Sequence, residues 1–486
     1  MESLKFSKVF WGAIACLNVV FLVYYCGLAF NMRLHYDDIH WLYSAQIQDL
    51  WEYLRWVWFD RSGRMTVYAM NWIFSTITLK VGVYWFWPIL YMLFGWLLCW
   101  IFVRELPIAI ANRKKMILLV LIYNIYILTA VDFAVFYWPC AMQYYIIGPA
   151  TLATVGYAIC KDMKWYQWVF ALFVICLVGL GFEYWIPLAL LILFFVGLYY
   201  WKCQQWDVRK TWAQPNVRRI ILFAVLLIVG FIVTTSAPGM YKRVEGGAEY
   251  EGMVHPDSLV TMCIAYGKTI ATLLYFQVFY IPYYLILAVA AMAAGAYSEH
   301  IDTDFVQLLK PISCALIIVI AVACVEPAYI YGGFGIQRFY TPLILLITFY
   351  FAIAGYMLGC QYSTKLHSLW AQTIALVGLS CMAIIMVVNI SYDFPIAKKY
   401  AEAVDKRKEY ILSMQAQNHT GVLELDKIAC PCSIDAKYVL FTLFGKQTTQ
   451  PAIYYYSDVE DSPNDYSVFI RKAYQLDFDI VPRTCE

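Results

Sequence analysis

Two adjacent carboxylates, Asp37 and Asp38, sit in the run His35-Tyr36-Asp37-Asp38-Ile39-His40. A carboxylate beside an acceptor hydroxyl can take its proton as a general base, and two side by side can hold a divalent cation. Other acids and bases are scattered far apart, each next to an apolar run. Arg61 and Arg64 bracket Ser62-Gly63, and Asp132 precedes Tyr137-Trp138-Pro139. Glu183 stands in Gly181-Phe182-Glu183-Tyr184-Trp185, and Lys242-Arg243 follow Ala237-Pro238-Gly239-Met240-Tyr241. Glu326 closes one apolar run, and Arg338 follows Gly332-Gly333-Phe334-Gly335. A guanidinium can grip two phosphate oxygens with parallel N–H groups, so Arg64, Arg243 and Arg338, with Lys242, are candidates for neutralising a phosphate. Trp138, Tyr144 and Glu183 are candidate substrate contacts. Each has an ordinary alternative: the aspartates as a solvated loop or helix cap, the arginines as snorkelling anchors, the aromatics as belt residues at the edge of a membrane.

The elements that must position these groups are membrane helices. The 486 residues are 63% hydrophobic and only 14% charged, against roughly 45–50% and about 25% in soluble domains. A soluble protein could not hide so much apolar surface. With 35 Lys+Arg against 33 Asp+Glu, no net positive field draws nucleic acid. The apolar runs do not alternate at period two, which argues against an outer-membrane barrel. They lie near 9–30, 64–82, 84–103, 116–134, 143–160, 165–182, 184–201, 219–236, 267–296, 311–327, 340–360 and 368–391, close to the roughly 20 residues that a crossing helix needs. The first is too long for a signal-peptide core and lacks a cleavage site, so it reads as a retained anchor.

The expected fold is thus an all-α polytopic membrane protein of about 11–13 transmembrane helices, spanning 1–392, with a first loop at 31–63. Within that loop Ile39–Phe59 carries Trp41, Leu42, Ile47, Leu50, Trp51, Leu54, Trp58 and Phe59 at helical spacing, the pattern of a helix lying on a membrane surface. Charges return over 393–486, which reads as a small C-terminal α/β soluble domain: a polar helix from Pro395 to Gln417, then strands at Val422–Ile428 and Tyr438–Phe444. Of 15 cysteines, twelve precede residue 382, mostly as small apolar residues. Cys430 and Cys432 flank Pro431, a spacing too short for a metal site on its own, and Cys485 can pair with one of them if the tail is extracytoplasmic. Asn418-His419-Thr420 fits a glycosylation sequon.

Lys and Arg in short loops fix orientation. Lys5 and Lys8, and the loops around 104–115, 161–164, 202–219, Lys310 and Lys365, place 15 positive residues on one side, against seven on the other. The N-terminus is expected in the cytoplasm and residues 393–486 outside. One conflict arises. If 31–63 is outside and 104–115 inside, the two apparent spans in 64–103 must cross an odd number of times, so one is re-entrant or interfacial, or that loop breaks the rule.

An acidic pair in the first outer loop, followed by interfacial helices, resembles the integral-membrane glycosyltransferases of the GT-C architecture. Asp37-Asp38, Ser62-Gly63-Arg64, Tyr137-Trp138-Pro139 with Gln143-Tyr144-Tyr145, Gly181-Phe182-Glu183, the run Ala237 to Arg243, and a tail with Asp405-Lys406-Arg407 and Tyr454-Tyr455-Tyr456 follow an order similar to bacterial O-antigen glucosyltransferase-like proteins. Met240 departs from that pattern, where Asn is expected, so sugar contacts there are not carried over. The resemblance implies transfer of a sugar from a polyprenyl-phosphate-linked donor to a glycan or lipid acceptor, on the outer side of the bacterial cytoplasmic membrane. An aspartate, Asp37 by analogy, would act as base. No cofactor is required on this reading, though a divalent cation at Asp37-Asp38 is compatible with it. Both aspartates are expected near water. No GxxxxGK[ST] or strand-borne GxGxxG is present for a nucleotide. Two other readings stay open: a transporter or flippase for lipid-linked sugars, which would show internal repeats, and an O-antigen ligase or polymerase.

Overall fold

In the computed structural model the chain is described over residues 2–34, 36–106, 108, 110–130, 136, 139, 143–245, 256–296, 305–333, 340–362, 369–426, 470–471 and 476–482. Among the described residues 85% are helical, an all-α polytopic architecture. The helices are α1 (Glu2–Asn31), α2 (Tyr36–Ile47), α3 (Leu50–Trp56), α4 (Met65–Val81), α5 (Phe86–Glu105), α6 (Asn112–Thr129), α7 (Gln143–Ile159), α8 (Trp165–Gly179), α9 (Ile186–Cys203), α10 (Val208–Ala213), α11 (Pro215–Ser236), α12 (Pro238–Glu245), α13 (Leu259–Ala296), α14 (Phe305–Ala323), α15 (Val325–Tyr331), α16 (Thr341–Gln361) and α17 (Leu369–Ala416). Every apolar run read from the sequence falls on this series. Among the described residues eight helices are long and apolar enough to cross a membrane. Their outward faces are bare apolar rows, such as Val225, Ile228, Val229 and Ile232 on α11. Only lipid leaves such a row stable, because the helix has already satisfied its own backbone polar groups.

Close backbone contact holds neighbouring helices together where lipid offers no hydrophobic drive. On α16, Gly355 and Gly359 stand four residues apart, and a Cβ there would come within 2.2 Å of the Ala288 carbonyl oxygen and 2.0 Å of that of Met292, both on α13.

The end of the bundle where α1 stops is called upper here. Phe30 packs on Trp85 at 4.3 Å, and Tyr25 Oη donates to the Pro88 carbonyl at 3.2 Å, so α5 starts at the upper end. Its last turn meets the last turn of α7, with a Cβ on Gly156 falling 2.8 Å from the Ile101 carbonyl oxygen. Lys114, opening α6, lies over the Trp11 ring near the start of α1. Traced this way, α1, α6, α8, α11, α14 and α17 rise, while α5, α7, α9, α13 and α16 descend. Among the described residues eleven helices run end to end, and the basic turns at 110–115, 161–164 and 202–219 gather at the lower end.

Helix α4 does not join them, and this settles the odd-crossing conflict in favour of an interfacial helix. The Thr66 N–H donates to the Leu180 carbonyl at 3.2 Å, at the upper end of α8. At its other end, Thr78 Oγ1 accepts from Trp87 Nε1 at 3.0 Å, at the upper start of α5. Both ends of α4 are therefore upper, and the helix lies across that face beneath α2 and α3. Trp72 Nε1 donates to the Gln48 carbonyl, and Tyr68 meets Trp41 edge-on.

The single surface helix expected over Ile39–Phe59 is broken. Asp49 caps α3: its carboxylate accepts from the Glu52 N–H at 2.8 Å, while Glu52 accepts from the Asp49 N–H. This reciprocal cap starts a new helix. A single π turn, Val57–Arg61, follows. The polar helix expected from Pro395 is likewise not a separate element, because α17 runs unbroken from Leu369 to Ala416 through that proline. Packing on α1 carries the helix past it: Tyr24 Oη donates to Asp393 at 2.6 Å, and the Phe394 ring sits against Gly27. At Asp405 the carboxylate takes two N–H groups of Arg33, at 2.7 and 2.5 Å.

In the tail, β1 (Val422–Leu425) pairs in parallel with β2 (Asp479–Pro482). Leu423, Leu425, Phe478 and Ile480 form a small core with Ile411, and that core also buries Ile39 of α2. The strand expected at Tyr438–Phe444, Tyr454-Tyr455-Tyr456 and the cysteines at 430, 432 and 485 lie outside the described residues.

Candidate functional site

The upper face is built around the short stretch Asp60 to Arg64, wedged between the π turn and α4. Gly63 makes the wedge possible, since a Cβ there would sit 1.9 Å from the Thr234 carbonyl oxygen of α11. Gly239 plays the same part from α12, where a Cβ would fall 2.6 Å from the Arg61 nitrogen. Ser62 Oγ donates to Met240 Sδ at 3.7 Å, so Met240 packs on the Ser62-Gly63-Arg64 turn. Gly63→Ala should therefore overpack this junction and cost about 1–3 kcal/mol, read as a lowered thermal midpoint of the detergent-purified protein. An unchanged midpoint would mean the backbone here yields freely.

Directed by that turn, Arg64 reaches Glu183 across 119 residues of sequence. Its Nε lies 2.9 Å from one carboxylate oxygen and 3.1 Å from the other, and its Nη2 lies 2.5 Å from the second. The side chains are only 13% and 12% exposed. The guanidinium also lies over the Phe182 ring, 4.8 Å from its centroid, a favourable cation–π placement. Glu326, half-buried on α15, is close enough to feel the charges of both partners. Lys242 pairs with Asp60 at 2.5 Å, but both are well exposed, so this bridge adds little stability. Arg61 lies over the Trp41 ring at 5.8 Å.

Trp41 is one helical turn beyond Asp38 on α2. Asp38 is fully buried in the first turn of that helix, which corrects the expectation that both aspartates face water. The helix N-terminus favours a negative charge there. Asp37 shares that turn, and its side chain lies outside the described residues, as do those of Tyr144 and Arg243. Asp132, Trp138 and Arg338 lie outside them altogether.

No family model, curated protein or solved structure matches this chain. Of the residues singled out from sequence, the structure brings Arg61, Arg64, Glu183, Lys242 and Glu326 to the upper face, with Asp38 on the helix above them. Among the described residues no group of three His, Cys, Asp or Glu side chains forms a metal set. Sequence reasoning missed Asp60, the partner of Lys242, and Asp393, fully buried against Tyr24. Asp393 carries the same signal that marked Glu183: a lone acid in an apolar, aromatic run.

Proposed function

We propose that the chain is a GT-C-type glycosyltransferase that moves a sugar from a polyprenyl-phosphate-linked donor to a glycan or lipid acceptor at the upper face of the bundle. The observation that carries this reading is the convergence there of sequence-distant acids and bases, roofed by amphipathic α2 and α3. The acceptor oxygen attacks the anomeric carbon and passes its proton to an aspartate of the α2 first turn. The bond from that carbon to the phosphate oxygen breaks, and the charge left on the polyprenyl phosphate is met by cations: Arg64 and Lys242 of this face, with Arg243 and Arg338 as the further candidates from the sequence. Fixed cations aimed at a developing charge stabilise a transition state strongly in a partly dry site.

The test is purification in mild detergent and mass spectrometry of co-bound lipid. A polyprenyl-phosphate sugar is the expected finding, and ordinary phospholipids alone would count against the reading. Orientation is part of the proposal. The basic lower end is assigned to the cytoplasm by the positive-inside bias, which puts the upper face and the tail outside a bacterial cytoplasmic membrane. In a background without accessible native cysteines, a cysteine at Asn418 should react with an impermeant maleimide in cells whose outer membrane alone is permeabilised. Reaction only after lysis would reverse the topology.

A further inference from the structure

At the lower end, far from the upper face, α8 and α11 flank an open, cleft-like cavity of about 400 Å³. Its walls include Lys161, Arg218 and Arg219, with Asp162 as the one acid, and Met163, Trp168 and Leu222 as the apolar part. A cavity of this size is in the range of about 300–1,000 Å³ that holds small organic ligands.

The charge of this cavity is unbalanced. Arg219 is fixed inside, 94% buried, with Nη2 donating to the Cys160 and Lys161 carbonyls and to Asn216 Oδ1. Its Nε is buried without a hydrogen-bond partner. The acceptors that hold it are all neutral, and among the described residues it makes no ion pair; Glu105, which reaches Cys160 beside it, is paired with Arg104. Among the described residues Arg218 donates to the Ala213 carbonyl, and no ion pair of Lys161 is seen. Pro215 begins α11 beside them, so the positive end of that helix faces the same space. A buried, fixed guanidinium without a directly paired carboxylate is costly unless an anion completes it.

The surroundings place the cavity at a membrane surface. Trp165 is 78% exposed and Tyr166 is exposed beside it, while Trp206 and Trp212 stand exposed near the lower starts of α10 and α11. Aromatic residues with open rings gather where acyl chains meet headgroups. The cavity therefore offers cations at headgroup depth, with Trp168 and Leu222 further along the rising helices α8 and α11, toward the hydrocarbon.

We infer that this cavity binds a net-negative phosphate group, as carried by an anionic phospholipid headgroup or by a soluble phosphate. Lys161 and Arg218 are the contacts that can be removed without touching the Arg219 carbonyl lock. This site is independent of the glycosyl-transfer reading.

The test uses the full chain. Native mass spectrometry would compare retention of phosphatidylglycerol with that of phosphatidylcholine, for the wild type and for Lys161→Gln/Arg218→Gln. A parallel thermal-unfolding series would add inorganic phosphate or chloride at matched ionic strength. The expected result is preferential retention of phosphatidylglycerol, lost about tenfold or more in the double variant, as charge-assisted hydrogen bonds of this kind would require. Stabilisation by inorganic phosphate that disappears in the double variant would support the same site with a soluble source. Lys202→Gln/Lys210→Gln removes two other lower-end cations as a control. Equal loss in that control, equal retention of both lipids with no phosphate effect, or wild-type binding by the double variant would overturn the site.

Discussion

Asp37→Asn should lower sugar transfer by about 10²–10⁴-fold, the usual cost of removing a general base, while the bundle stays folded. Successive residues of α2 point about 100° apart, so only one of the two aspartates can face a given acceptor. Asp38 points into the protein and is fully buried; Asp37 shares its turn and is the residue the family resemblance favours. The two Asn variants should therefore separate. Asp37→Asn loses rate with an unchanged melting profile. Asp38→Asn keeps the shape but removes a charge from a helix start, and it lowers stability by about 0.3–1 kcal/mol for the helix interaction alone. Transfer assays on matched membranes and thermal unfolding of the two purified variants read these outcomes. Wild-type transfer by both variants would move the base elsewhere on the upper face.

Arg64→Ala should be the most destabilising change at this face. It leaves the Glu183 carboxylate, 12% exposed, without the guanidinium that holds both its oxygens. Breaking such a pair from one side typically costs about 3–5 kcal/mol. Removing both ends is different, because an apolar pair of similar volume at a buried salt bridge is often neutral or better. Arg64→Met/Glu183→Met should thus melt near the wild type and yet transfer no sugar, because the phosphate cation is gone. Arg64→Lys keeps the charge but not the fork, and it should lose about tenfold or more in turnover with a smaller stability cost. A double Met variant that is both stable and fully active would show that Arg64 is a helix anchor and leave the phosphate to Lys242, Arg243 or Arg338.

Much of this architecture was legible from hydropathy alone, because a lipid-facing helix must be apolar over most of its length. Direction was not legible in the same way. Residues 64–82 read as a span, but α4 is not among the helices long and apolar enough to cross, and the contacts of Thr66 with Leu180 and of Thr78 with Trp87 show that it lies flat. The charge count did carry the warning, as an odd number of crossings that two spans could not supply. Within the site, the types of residue were readable but their pairing was not: Arg64 and Glu183 are 119 residues apart, and nothing local in either segment names the other. The break before α3 was written in Asp49-Leu50-Trp51-Glu52, a capping pattern, but the aromatic periodicity running through it suggested one helix. Pro395 suggested a boundary, and the packing of α17 on α1 carried the helix past it.

The tail core, which includes Phe478 and Ile480, closes over Ile39, next to the acidic pair. This has a consequence in time rather than in space. The helix bearing Asp38 leaves the ribosome early, and the segment that covers its neighbour follows about 440 residues later. At about 5–20 residues per second, that is a delay on the order of 20–90 s. During synthesis the bundle can insert helix by helix while the first loop waits, uncovered, for residues 470–480. The cover over Ile39 is thus built long after α2 itself, and a chain halted before residue 470 would carry the helices α1 to α17 with an apolar spot left bare beside Asp38.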